Sequence, residues 1–250
     1  MEKALFFLVR LPKISITIFF LCCVLAAIIY PGSQKEIIGY KSNIYSFTHN
    51  FLSELGSLKT NTDEKNSLII QEDNTPSMIL FNGSLILIGI TLMLFYIHFK
   101  KVFTLIEDSQ KAKLFANITM PVGLLAGFFY AGVGFVPHDL DFSTHVFFAN
   151  YAFLTLFFLC ILHSITIYHS NFLGNNYVIG YVSFCILLFI YLRIIFFGPQ
   201  IGPGKIYSEK DLMLQVISQK SIVLTFMAAV LHQVIGFNKI LKKKIKNVKI

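Results

Sequence analysis

Histidine and acidic residues of the types that bind zinc occur at several points in this 250-residue chain. Catalytic zinc commonly uses three histidine or carboxylate ligands together with a water molecule. One hypothesis is therefore a zinc-dependent hydrolase in which Asp139 and His145 are catalytic and Glu54 is the general base that activates the water. The sequence holds no HExxH or HxxxH motif, and the interval between His138 and His145 is a loop spacing. The candidate zinc ligands are His49, His138, Asp139 and His145, with Asp141 beside them.

The charged residues also suggest a binding site without catalysis. The acidic side chains of Glu54, Asp139 and Asp141, taken with the bases Arg193 and Lys220, would suit a zwitterionic or anionic headgroup. The candidate binding residues are His49, Ser53, Asn82, Asp141, Arg193 and Lys220.

The same charges have a purely structural alternative. Opposite charges at low dielectric can satisfy one another and fix the register of neighbouring helices. In that case Arg193 is the expected charge partner of Asp139. Binding and this structural role are compatible with each other.

A third alternative is a membrane cytochrome. His145 and His163 share one helical face, and a His98/His163 pair could ligate haem. However, His145 and His163 would be about 27 Å apart, which is long for two stacked haems. Haem is therefore the disfavoured cofactor, and zinc is the alternative left open.

The amino-acid composition indicates what class of protein holds these residues. Hydrophobic residues make up 55% of the chain and charged residues only 14%, whereas soluble chains carry roughly 25% charged residues. This excludes a soluble enzyme, a nucleic-acid binder and a secreted disulfide scaffold. The four cysteines fall inside apolar stretches and form no CxxC pattern.

Six stretches are long enough to cross a membrane, which takes about 20 apolar residues. They predict an all-α polytopic bundle in a single membrane domain, 1–250. Gly123, Gly127 and Ala131 recur every four residues in the third span, a spacing that lets helices approach closely. The predicted spans are 14–30, 77–99, 114–136, 144–168, 177–197 and 218–240.

The distribution of lysine and arginine predicts the orientation. Basic residues in short loops mark the cytoplasmic side. The termini and the even-numbered loops hold thirteen, and the opposite side holds six. Both termini are therefore expected in the cytoplasm. The basic C-terminal run, Lys239 to Lys249, is a cytoplasmic anchor or a patch for anionic lipid.

With this orientation, the candidate site residues converge on the outer leaflet. The first outer loop, 31–75, contains a segment with helical spacing of apolar residues, 42–57, which predicts an amphipathic helix on that leaflet. His49 and Ser53 would share its polar face with Asn50 and Glu54, and that face would turn toward Asp139 and His145. A hydrolase placed there would act on a lipid ester or amide.

Short motifs resemble a known family. Ser53-Glu54-Leu55-Gly56-Ser57, Phe81-Asn82, Gly134 to Asp139 with His145, and Gln219-Lys220 occur in the order seen in a six-span prokaryotic family, domain of unknown function nine-nine-eight. That family is distantly similar to the eukaryotic DRAM and Frag-type membrane proteins. Members carry Asp at the position of Glu54 and Arg at that of Lys220. Lysine keeps the charge but lacks the guanidinium fork.

The resemblance implies the six-span fold, the place of the site and a prokaryotic cytoplasmic membrane, but it implies no activity. The expected partners are membrane lipids, with a helical membrane protein as the alternative.

Overall fold

The computed structural model describes residues 1–248 and consists mainly of six long helices. All six are long and apolar enough to cross a membrane, which confirms the predicted all-α bundle of six helices. They are α1 (Glu2–Ile29), α2 (Thr75–Leu105), α3 (Gln110–Phe135), α4 (Phe142–Tyr168), α5 (Val178–Phe197) and α6 (Glu209–Val248). Lys249, at the end of the basic C-terminal run, lies outside the described residues.

Consecutive helices pack against each other, and α6 returns to α1. The segments 30–74, 136–141 and 198–208 therefore meet at one end of the bundle, which we call the loop end. The start of α1 and the end of α6 lie at the other end with the two short connections between α2 and α3 and between α4 and α5, and we call this the terminal end. There Ser109 donates a hydrogen bond to the carbonyl of His169.

Several helices are longer than the predicted spans, α1 and α6 most of all. Helix α1 begins at Glu2 rather than near residue 14, and it contains a π-helical turn at Phe6–Arg10. Because Pro12 follows that turn and has no N–H to donate, regular α-helical bonding is interrupted there. Helix α6 begins at Glu209, and its 40 residues measure about 60 Å, twice the thickness of a bilayer core.

The closest helix contact joins α2 and α3. A Cβ atom on Gly89 would lie 2.6 Å from both the Gly127 carbonyl oxygen and the Ala131 nitrogen. The backbones touch there only because Gly89 has no side chain. The predicted packing role of the small residues in the third span is thereby confirmed, and α2 is the partner.

The prediction of an amphipathic helix over 42–57 is wrong. The segment after α1 forms a hairpin of β1 (Ser33–Lys35) and β2 (Tyr40–Ser42), then turns, then a short 3-10 helix, Leu52–Gly56. Local side-chain bonds prevent a longer helix: the Asn50 amide accepts from the Ser46 nitrogen, and the Glu54 carboxylate accepts from the Phe51 nitrogen. Side chains that bond nearby backbone in this way compete with helical bonding.

Candidate functional site

An open cavity of about 640 Å³ lies at the loop end. Its walls come from the first loop, the start of α4 and the segment between α5 and α6. Three lysines and four acidic residues line it: Lys35, Lys65, Lys205, Glu36, Glu54, Asp63 and Glu64.

Glu54 is held at the cavity wall by a network of donors. Its carboxylate oxygens accept from the Lys35 ammonium at 3.1 and 3.2 Å, from the Asn50 amide at 2.6 Å and from the Phe51 nitrogen at 2.8 Å. Burial opposes ionisation of Glu54, but the Lys35 charge and these hydrogen bonds outweigh it and hold the pKa below its usual range. Glu54 is therefore a charged structural acceptor, which does not suit the predicted role of general base.

Lys220 is joined to Glu54 through Asn50 and not by an ion pair. Its ammonium donates to the Asn50 carbonyl and lies 5.2 and 5.1 Å from the ring centres of Tyr45 and Phe47. Next to it on α6, the Gln219 side-chain oxygen accepts from the Leu52 nitrogen at 2.9 Å. These contacts fasten the first loop to α6.

Three other predicted site residues also bind backbone. Asp139 accepts from the nitrogens of Leu58 and Lys59 at 2.9 and 3.0 Å, and Asn82 donates to the Gly56 carbonyl at 2.9 Å. Asp141 caps the start of α4 by accepting from the Thr144 nitrogen at 3.0 Å, and hydrogen bonding to the side chain and the backbone of Thr144 lowers the pKa of Asp141. Their contacts hold the loop and helix ends in place.

Asp63 differs because its carboxylate has no hydrogen bond or ion pair to any residue in 1–248. Burial raises its pKa, and nearby His138 only partly offsets that effect. The Nδ1 atom of His138 and the Oδ1 atom of Asp139 are also buried without a hydrogen-bond partner in the described chain. Of these three residues, Asp63 and His138 line the cavity.

His145 faces the interior of the bundle. Its Nδ1 atom lies 2.7 Å from the Val136 carbonyl oxygen and must be the donor, since a carbonyl only accepts. In the neutral ring the Nε2 atom therefore carries the free lone pair. The ring centre of His138 is 5.8 Å away.

The predicted zinc ligands are not brought together. Within residues 1–248, no group of three His, Cys, Asp or Glu side chains is close enough to hold a metal ion. His49 instead bonds Glu209 at 2.9 Å and stacks on Tyr40. Because His49 has these other partners and the predicted ligands form no such group, the geometry does not support the predicted zinc hydrolase.

The predicted pairing of Arg193 with Asp139 is also wrong. Arg193 is exposed on α5 with its guanidinium 5.3 Å from the ring centre of Phe197, and it forms no ion pair within the described part of the chain. The Oδ2 atom of Asp139 already accepts hydrogen bonds from two backbone N–H groups.

The two histidines proposed for haem have separate environments. His163 is fully buried, with Nδ1 3.1 Å from the Tyr96 hydroxyl and its ring stacked on Tyr181. His98 stacks on Phe7 and donates to the Leu94 carbonyl. The Nε2 atom of His163 has no hydrogen-bond partner in the described chain, but the two rings pack against different aromatic neighbours, which does not favour a ligand pair.

A second, apolar cavity of about 110 Å³, which we call the slot, lies next to the first and deeper in the bundle. Ser53, His145, Ala149 and Gln219 line both spaces. Every helix except α5 contributes to the slot. The rest of its lining is Ile16, Phe19, Leu52, Phe81, Leu85, Ile88, Tyr130, Val133, Ala152, Phe153, Val223, Phe226 and Met227.

Sequence reasoning missed Lys35, Asp63 and Ala149. Lys35 and Asp63 stand in a polar loop where nothing in the spacing marks them. Ala149 and Ala152 are small residues three positions apart on α4, and this spacing was the one available signal of internal space.

No family model matches this sequence, and it matches no curated protein and no solved structure. The resemblance to the six-span prokaryotic family therefore stays a prediction, and function must be argued from the geometry.

Proposed function

We propose that this chain is a membrane protein that binds one amphiphile, with its polar head in the loop-end cavity and an apolar chain in the slot. The observation that carries the proposal is the adjacency of the two spaces, which share Ser53, His145, Ala149 and Gln219 in their linings. A charged space beside an apolar one matches the two parts of a lipid-like molecule.

The charges of the cavity favour a zwitterionic head. Lysines and acidic residues line it in nearly equal number, and the pairing of Lys35 with Glu54 leaves Lys65, Lys205 and Asp63 available to a ligand. A head with both an anionic and a cationic group would find a partner for each.

We propose further that the loop end faces the outside and that both termini lie in the cytoplasm. The basic residues near the termini support this orientation. The amphiphile would then come from the outer leaflet.

The network around Glu54, Asn82 and Asp139 supports a structural role beside binding. It ties the first loop to α2, to α6 and to the α3–α4 turn. By holding this loop in place, the network would keep the cavity open in the absence of ligand.

Filling the junction tests the proposal. Ala149 borders both cavity and slot, so the ring in Ala149→Phe should fill space where the two adjoin and reduce the amphiphile that co-purifies from membranes by at least tenfold, measured by mass spectrometry. Ala228→Phe is the matched control, because Ala228 is exposed on α6. Ala149→Leu is a milder second variant, and size-exclusion chromatography checks that each protein is folded. Equal amphiphile in wild type and both Ala149 variants would contradict the proposal.

A further inference from the structure

We infer that the turn formed by residues 43–47, which we call the anchor turn, inserts into the lipid leaflet at the loop end and holds this end of the bundle at the level of the headgroups. The side chains that contact lipid are Ile44 and Phe47. The inference does not depend on the proposed amphiphile, because it concerns the outer surface of the protein and not its cavities.

The anchor turn exposes two large apolar side chains. Ile44 is 69% exposed and Phe47 is 58% exposed. Neither side chain lines the cavity or the slot, so both face the outside of the bundle. Exposed apolar surface of this kind marks a contact with a membrane or with another protein. The height of the turn along the neighbouring helices decides between the two.

Contacts with α1 and α6 fix that height. The ring centres of Tyr45 and Phe47 lie 5.2 and 5.1 Å from the Lys220 ammonium on α6. Tyr45 also packs edge-on against Tyr30, directly after α1, with 5.6 Å between the ring centres. Lys220 is only 3% exposed and donates to the Asn50 carbonyl, which fastens the chain just after the turn.

On α6, Lys220 marks one limit of an uncharged stretch, and the exposed Lys239 marks the other. Residues 221–238 contain no Asp, Glu, Lys or Arg and span about 27 Å at the helical rise. This is close to the roughly 30 Å of hydrocarbon in a bilayer. Since helical side chains lean toward the N-terminus of their helix, the Lys220 ammonium lies on the loop-end side of its own Cα atom. The anchor turn is therefore at the boundary between hydrocarbon and headgroups.

Helix α1 gives the same height independently. Residues 14–30, which follow the exposed Lys13, contain no charged residue and span about 25 Å. Tyr30, at the end of this stretch, is the residue that Tyr45 contacts. Ile28 is 70% exposed, so the lipid-facing surface of α1 extends to this level. Because the apolar surface of the anchor turn continues that of the spanning helix, lipid is the partner that fits it.

Insertion of the anchor turn also explains the length of α6. With Lys220 at the boundary of the hydrocarbon, the start of α6 at Glu209 stands about 16 Å beyond it. The first turns of α6 are then outside the hydrocarbon, where Gln215 and Gln219 line the cavity. The anchor turn would thus keep the cavity within reach of lipid headgroups.

The test uses tryptophan fluorescence in phosphatidylcholine vesicles, because the chain contains no tryptophan of its own. Phe47→Trp and Ile44→Trp should each lose more emission to lipid brominated near the headgroup end of its acyl chains than to lipid brominated near the chain ends. Phe189→Trp is the matched control and should show the reverse order, since Phe189 is 54% exposed near the middle of α5. Ile206→Trp, at a residue 89% exposed just before α6, should lose little emission to either lipid.

Three results would overturn the inference. If neither brominated lipid reduced the emission of Phe47→Trp and Ile44→Trp while Phe189→Trp was quenched, the turn would not contact acyl chains. Quenching by acrylamide in water would then place the turn in solvent, and resistance to acrylamide as well would show that another protein, such as a second copy of the chain, covers it. Equal lipid quenching of Ile206→Trp and Phe47→Trp would contradict the assigned height. Size-exclusion chromatography checks that each variant is folded.

Discussion

Glu54 joins three separate parts of the loop end. Its carboxylate binds Lys35 on β1, the Asn50 side chain in the preceding turn and the Phe51 nitrogen at the start of the 3-10 helix. The Lys35 and Glu54 side chains are only 13% and 14% exposed. At such burial, loss of one partner leaves an uncompensated charge, which is a stronger effect than the loss of the pair itself.

We therefore expect Glu54→Gln to lower the unfolding free energy by about 3 kcal/mol at neutral pH, measured by thermal unfolding in detergent. The double variant Lys35→Met with Glu54→Leu should recover most of that loss. Arg193→Gln, at an exposed site without an ion pair, should stay within about 0.5 kcal/mol of wild type. If the losses of unfolding free energy from the two substitutions simply added in the double variant, Lys35 and Glu54 would not act as a pair.

The same pair predicts a pH dependence. The folded-state pKa of Glu54 is depressed, so its stabilisation is present above the unfolded pKa and is lost as pH falls through the folded value. Wild type should lose stability on acidification below about pH 4, and Glu54→Gln should lack that component. Identical acid profiles of the two proteins would contradict this account of Glu54.

The contribution of Asp63 to stability should depend on pH in the opposite direction to that of Glu54. Burial raises its folded-state pKa, so its favourable contribution is present below the unfolded pKa and is lost as pH rises through the folded value. Asp63→Asn should therefore raise the melting temperature at pH 7 by about 2 °C and give no gain near pH 3. Glu72→Gln, at an exposed site in the same loop, is the control. A lower melting temperature in Asp63→Asn at pH 7 would show that the carboxylate has a stabilising partner.

At the scale of elements, the α2–α3 contact determines how closely the helices can pack. A methyl group on Gly89 would meet the backbone of α3, while Gly83 on the same helix has open space around it. Gly89→Ala should cost about 1–3 kcal/mol by overpacking, and Gly83→Ala should gain about 0.5–1 kcal/mol from helix propensity. Thermal unfolding of the two variants measures the difference. If both variants changed the stability by the same amount in the same direction, the backbones of α2 and α3 would not be in tight contact at Gly89.

The local structure of the first loop also explains why its helical periodicity did not predict the structure correctly. The apolar spacing over 42–57 satisfies a helix template, but Asn50 and Glu54 use their side chains to bind nearby backbone. Those bonds stop the helix after one short 3-10 turn. The polar side chains then point to β1 and α6 and not along a common helix face.

At the scale of the whole molecule, the orientation proposed from the basic residues can be tested directly. On a background without Cys22, Cys23, Cys160 and Cys185, the Lys41→Cys variant should react on intact cells with a maleimide that cannot cross membranes. The Lys242→Cys variant should react only after the cells are opened. Both lysines are exposed at opposite ends of the bundle. The reverse pattern would invert the orientation and place the cavity on the cytoplasmic face.

The number and apolar character of the helices could be predicted from the sequence alone, because crossing a membrane depends on the length and composition of each stretch. The spacing of small residues in the third span likewise predicted a helix face that can pack closely, because small side chains let backbones approach. These are local properties, and tertiary contacts do not change them.

The composition of the site was decided only by the tertiary structure. Glu54 pairs with Lys35 and not with Lys220 or Arg193, Asp139 binds backbone, and Ala149 borders two cavities. Each outcome depends on distances between residues far apart in the chain. A buried charge takes whichever partner the packing brings within hydrogen-bond reach, and residue type and sequence spacing do not fix that distance.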